Sequence, residues 1–140
     1  MATGDVYLDG LAALQGDASW LTDQAYAVLL DADYTFDRAA HSAYGDVSAN
    51  EITDSDYAPQ QVNGKTISVV AGKVVFDSEN VSFGNDVSIA ASHMAVLFGS
   101  SVSRTTSDLL LFYIDLGSMA SLNATFAINT PNGLYAIEPQ

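Results

Sequence analysis

The sequence predicts an all-β fold: an antiparallel β-sandwich or jelly-roll-like domain preceded by a loosely structured N-terminal arm. Three observations predict it. From Gly64 onward, short β-branched and aromatic runs alternate with clusters of Gly, Asn, Asp and Ser, the pattern of strands joined by turns. Apart from Glu51, Glu79 and Glu138, all 17 acidic residues are aspartate, which favours turns and caps over strand and helix interiors. The same span carries little helical spacing. With 140 residues, 49% of them hydrophobic, the chain suits one domain with a single sizeable core. The arm is assigned to residues 1–24 and the sandwich to residues 25–140.

In the arm, Leu8, Leu11, Ala12 and Leu14 have helical spacing, but Gly10 and Gly16 leave little room for a helix. Residues 25–30 read as a strand, because Tyr26, Val28 and Leu30 alternate with Ala25, Ala27 and Leu29. Ser48 with Glu51 three residues on matches a capping box and predicts one helical turn near 48–54. Thr66-Ile67-Ser68-Val69-Val70-Ala71, Gly72 and Lys73-Val74-Val75-Phe76 form a hairpin pattern, after which Val81-Ser82-Phe83 resumes with period two. Residues 93–98 form a nearly continuous apolar run suited to a strand buried on both faces. The polar stretch 99–108 reads as a loop or the tip of a long hairpin. Residues 109–116, the most hydrophobic segment, predict a central strand with Leu110, Phe112 and Ile114 on one buried face. Strands at 125–129 and 134–137 flank Thr130-Pro131-Asn132-Gly133, and Asn-Gly predicts that they close a terminal hairpin.

Charge and composition then narrow the function. A formal net charge of −13, with Arg38, Lys65, Lys73 and Arg104 as the four cations, disfavours nucleic acid, whose binding requires phosphate neutralisation. No run approaches the ~20 apolar residues of a membrane span, and the acidic start, Met1-Ala2-Thr3-Gly4-Asp5, carries no signal-peptide pattern. The absence of cysteine excludes thiol catalysis, thiolate metal sites and disulfides.

Catalytic patterns are weak. His41 and His93 are the two histidines; Ser42 beside His41 lacks the Gly-x-Ser-x-Gly elbow. Aspartate pairs suit glycoside hydrolysis in principle, but Asp-rich turns supply such pairs by chance. Asp31, Asp33 and Asp37, and the pair Asp54 and Asp56, offer hard oxygen ligands, yet neither segment matches the EF-hand loop. No phosphate-cradling glycine motif occurs, and the sequons at Asn80 and Asn123 read as coincidence. Accordingly no catalytic residue, metal or cofactor is assigned. The apolar residues of the arm, Tyr7, Leu8, Leu11, Leu14 and Trp20, stand where a monomer has least reason to place them, and are assigned to docking on a partner.

The stretch from Asn63 onward resembles the capsid decoration, cement or head-fibre proteins of tailed phages. The residues that carry the resemblance are Gly64-Lys65-Thr66-Ile67-Ser68 and Gly72-Lys73-Val74-Val75-Phe76-Asp77, then Val81-Ser82-Phe83 and Met94-Ala95-Val96-Leu97-Phe98. Leu109 through Gly117, Phe126-Ala127-Ile128 and Gly133-Leu134-Tyr135-Ala136-Ile137 complete it. The resemblance implies a non-catalytic virion structural protein, made in the host cytoplasm, with a β-sandwich fold. It further implies attachment to the major capsid protein on the outside of an icosahedral head, commonly as a homotrimer. A carbohydrate- or calcium-binding module of a phage fibre or tail is the second reading, and a carboxylate-pair hydrolase the third.

Overall fold

The computed structural model describes residues 3–16, 18–130 and 133–137. Among these described residues, ten strands form three antiparallel sheets: β1 (Thr3–Val6), β2 (Ala25–Leu30), β3 (Gln60–Gln61), β4 (Thr66–Val70), β5 (Lys73–Asp77), β6 (Val81–Ser82), β7 (Ala90–Phe98), β8 (Leu110–Ala120), β9 (Ala127–Ile128) and β10 (Tyr135–Ile137). The helical content is small: α1 (Leu8–Ala13) and two 3-10 turns, Tyr44–Asp46 and Ser48–Asn50. The chain is therefore all-β and antiparallel, as the turn-punctuated sequence predicts.

The main sheet has the order β1-β8-β7-β2-β3, a second has the order β10-β5-β4, and β6 pairs with β9 alone. All six residues of β2 are buried. Period-two alternation sends Ala25, Ala27 and Leu29 into one apolar cluster and Tyr26, Val28 and Leu30 into another. The first cluster takes in Phe76 from β5, Val81 from β6, Ile128 from β9, and Phe83, Ile89 and Phe126 from their flanks. The second is closed by Tyr34 and Val47, with Phe36 and Tyr44 against it, all from the strand-poor segment 31–51.

Several local expectations change. The arm is not loose. Residues 3–6 pair with residues 112–115 of β8, and α1 forms despite Gly10, because that glycine lies against the β8 backbone. A Cβ there would sit 2.2 Å from the Leu110 carbonyl oxygen. In β8 the ladder slips by one residue: Val96 faces Phe112 while Leu97 faces Leu110, leaving Leu111 as the extra residue of a bulge. The slip resets the alternation, so Leu111, Phe112 and Ile114 face one cluster and Leu110 faces the other with Tyr113. The expected trio Leu110, Phe112 and Ile114 is thus divided.

The terminal hairpin is also replaced. Gly133 N–H closes a turn on the Thr130 carbonyl at 2.9 Å, but β9 pairs with β6 and β10 with β5. A helical turn forms over Ser48–Asn50 without the capping box. Glu51 is drawn away by other donors.

Candidate docking surface

Burial divides the five arm residues assigned to docking. Tyr7 is fully buried. Its N–H donates to Leu111 O at 2.9 Å, its hydroxyl meets that of Tyr34 at 2.7 Å, and its ring stands edge-on to Phe36. Trp20 is 1% exposed and packs edge-on to Phe112 with centroids 5.2 Å apart. Its Nε1–H is shared by the carbonyls of Thr66 at 3.1 Å and Asp77 at 3.2 Å. Both are core residues and are withdrawn from the docking set. Their burial removes large apolar surfaces from water, a gain no exposed arm obtains. Leu8 is exposed. Leu11 and Leu14 are half-buried, and with Ala18, Trp20, Ile67 and Phe76 they line a groove of about 220 Å³ beside β4.

The exposed apolar surface lies mainly elsewhere. Ile67, Val69, Val70 and Val74, all on the β4–β5 hairpin, are exposed, Val69 at 76% and Val70 at 56%. Its two-residue turn, Ala71-Gly72, has φ +52° and +79°, the left-handed pair of a type I′ turn. In such a hairpin Val70 and Lys73 are the hydrogen-bonded pair, so Thr66, Ser68 and Val70 bond inward to β5. The N–H and C=O groups of Ile67 and Val69 then face outward, since among the described residues β4 is the last strand of its sheet. The surrounding charge is unusual for this chain. Residues 57–76 contain no Asp or Glu and hold Lys65 and Lys73, two of the four cations. That acid-free window, lying over β-branched residues, was the available sequence signal for this surface.

Two part-buried polar clusters accompany the sheet. In one, Tyr34 OH lies 3.0 Å from His41 Nδ1 and 2.7 Å from Tyr7 OH. Tyr113 OH lies 2.6 Å from His93 Nδ1, and the Phe36 ring stacks on Tyr113 at 4.3 Å. Burial, reinforced by Asp115, Tyr34 and Asp5, raises the Tyr113 hydroxyl to about 12. Burial lowers His93 against the opposing pull of Asp115 and Asp31. In the other cluster, Glu51 accepts from Tyr44, Tyr57 and Arg104, the last at 2.7 Å. Burial and then the Glu51 hydrogen bond raise Tyr44 to about 12 and push Tyr57 up as well. These phenols stay protonated donors at neutral pH. Each cluster is closed on itself, satisfying its own polar atoms inside the fold.

Of the aspartates considered as calcium ligands, Asp31, Asp37, Asp54 and Asp56 each hold a local turn or join through their carboxylates. Asp31 Oδ1 accepts from Asp33 N–H and from the Asn50 amide. Asp37 Oδ1 accepts from the N–H groups of Ala39 and Ala40, which lowers its pKa. Asp54 and Asp56 accept from Ala90 N–H and Ser88 N–H, pinning residues 54–56 to the start of β7. Among the described residues no three His, Asp or Glu side chains gather as a metal-ligand set.

No helix among the described residues is long and apolar enough to cross a membrane. Set against known proteins, the chain matches no protein-family model, no curated protein and no solved structure.

Proposed function

We propose that this chain is a virion structural protein that decorates and cements the outside of an icosahedral phage head, acting through protein contacts and without catalysis. The observation that carries the reading is the β4–β5 hairpin, which exposes Ile67, Val69, Val70 and Val74 and whose only acid, Asp77, stands at its last position, on a chain of net charge −13. A surface of that kind has a partner. The hairpin also lies within the segment that resembles the decoration proteins of tailed phages. A strong single-sign charge elsewhere keeps free subunits soluble at high copy number. A shell repeats one binding surface at every symmetry point, so linked copies gain affinity by avidity.

The test is co-sedimentation of the purified protein with shells assembled from the major capsid protein encoded in the same genome. Saturable co-sedimentation supports the reading, and it weakens when Val74, exposed on β5 away from the β4 edge, is replaced by Lys. Protein left wholly in the supernatant at micromolar concentration overturns it.

A further inference from the structure

We infer that two copies of this chain associate through β4, strand edge to strand edge, about a two-fold axis at Ser68. The inference goes beyond the decoration reading and stands without it.

It rests first on backbone geometry. The outward groups of the β4 edge are the N–H and C=O of Ile67 and of Val69, two donors and two acceptors spaced for an antiparallel neighbour. A second β4 placed antiparallel with Ser68 opposite Ser68 sets Ile67 against Val69 and Val69 against Ile67. Both are then hydrogen-bonded pairs, so four bonds satisfy all four outward groups of each copy. Shifting the register by one residue brings inward-bonded groups to the interface and forfeits them.

Side chains agree with that register. Ile67 and Val69 lie on one face of the strand, so pairing gathers four β-branched residues there, two from each copy. The partner's Val69 comes beside Ile67, at the mouth of the groove that Leu11, Leu14 and Trp20 line. The Ser68 face carries only Thr66, Ser68 and Val70 along β4, so no like charges meet across the strands.

Charge selects the occupant. Each chain carries −13, and most approaches of one copy to another bring acidic surfaces together. The acid-free span of residues 57–76 is where two copies meet with the least repulsion, and it contains the free edge. Natural proteins protect edge strands with charge, proline or bulges; β4, Thr-Ile-Ser-Val-Val, has none of these. Pairing joins the two three-stranded sheets into one of six strands. The product is a two-fold dimer in place of the trimer that the family resemblance implies.

Sedimentation equilibrium and native mass spectrometry test the state. The expected result is a dimer at micromolar concentration that tightens as salt is added, because screening relieves the repulsion. Val69→Pro removes an outward N–H while leaving the inner ladder to β5 intact. It should weaken the dimer at least about tenfold with circular dichroism and melting of the monomer preserved. A cysteine pair gives an independent measurement, since the chain has no cysteine of its own. In the proposed register Ser68 faces its own copy as a non-hydrogen-bonded pair, with Cα atoms about 4.5 Å apart, within disulfide reach. Ser68→Cys should therefore cross-link under mild oxidation, whereas Val70→Cys, which faces the partner's Thr66, should not. A monomer or trimer at micromolar concentration, or equal cross-linking of the two variants, overturns the proposal.

Discussion

Trp20 shows how much one side chain of the N-terminal segment carries. It fills the space beneath the β4–β5 hairpin, stacks edge-on to Phe112 and spends its single donor on two carbonyls. Trp20→Ala should cost about 3–5 kcal/mol of unfolding free energy in urea titration; a loss below about 1 kcal/mol would mean that the ring is not in the core. Glu51 acts differently, as an acceptor shared by Tyr44, Tyr57 and Arg104. Tyr57→Phe removes one donor from it, and also the acceptor for Leu29 N–H. That leaves polar groups short of partners, so the variant should lose about 1–3 kcal/mol with little change in the slope of the urea transition. No loss would show Glu51 to be fully compensated by Arg104.

Among the elements, the β4–β5 hairpin has a correctable weakness. Ala71 occupies a left-handed position (φ +52°) for which a Cβ is unfavourable. Asn-Gly is the preferred pair for this turn, so Ala71→Asn should raise stability by about 0.5–1 kcal/mol, read as a higher urea midpoint. A lowered midpoint would mean the turn is of another type. β1 and α1 make the N-terminal segment part of the sheet and its cover, with β1 on the β8 edge and α1 against the β8 backbone. Deleting residues 1–20 should therefore abolish cooperative melting. A shortened chain that melts like the intact one would return the segment to the role of a detachable arm.

The whole molecule has a pH window set from both sides. His93 is half-buried, and that desolvation holds its folded pKa below the ordinary 6.5. The unfolded chain therefore takes up that proton first, so stability is full above about pH 6.5 and falls as the pH drops below it. At the alkaline end Tyr7, Tyr26, Tyr34 and Tyr57 are all raised above the ordinary 10.0, burial being the largest cause for each. The unfolded chain loses those protons first, so stability falls as the pH rises beyond 10.0. Tyrosinate absorbance should then appear together with loss of the far-ultraviolet dichroism signal. Tyrosinate forming well before unfolding would show that the phenols are accessible to solvent.

The fold class, the position of most strands and the hairpin at residues 66–77 are legible in the chain alone. These depend on neighbours along the chain: period-two alternation in β2, β-branched runs in β4 and β5, and Gly at the turn. The sequence also determined that the surface is acidic. Pairings between residues distant in sequence are settled only in the folded chain. The bulge at Leu111 arises from register against β7, and it reverses which face Leu110 occupies. The Asn-Gly signal after β9 does not choose the next strand's neighbour, and β10 pairs with β5 instead of β9. Tyr7 and Trp20 look unpartnered along the chain because their partners, Tyr34 for the first and Thr66, Asp77 and Phe112 for the second, lie far away in sequence, from a separation of 27 residues for Tyr7 and Tyr34 to the widest, Trp20 and Phe112. The candidate surface divided the same way. Its composition, apolar and free of acid, was present in residues 57–76, but its exposure follows from β4 ending its sheet, and edge position is a property of strand order, which no local pattern encodes.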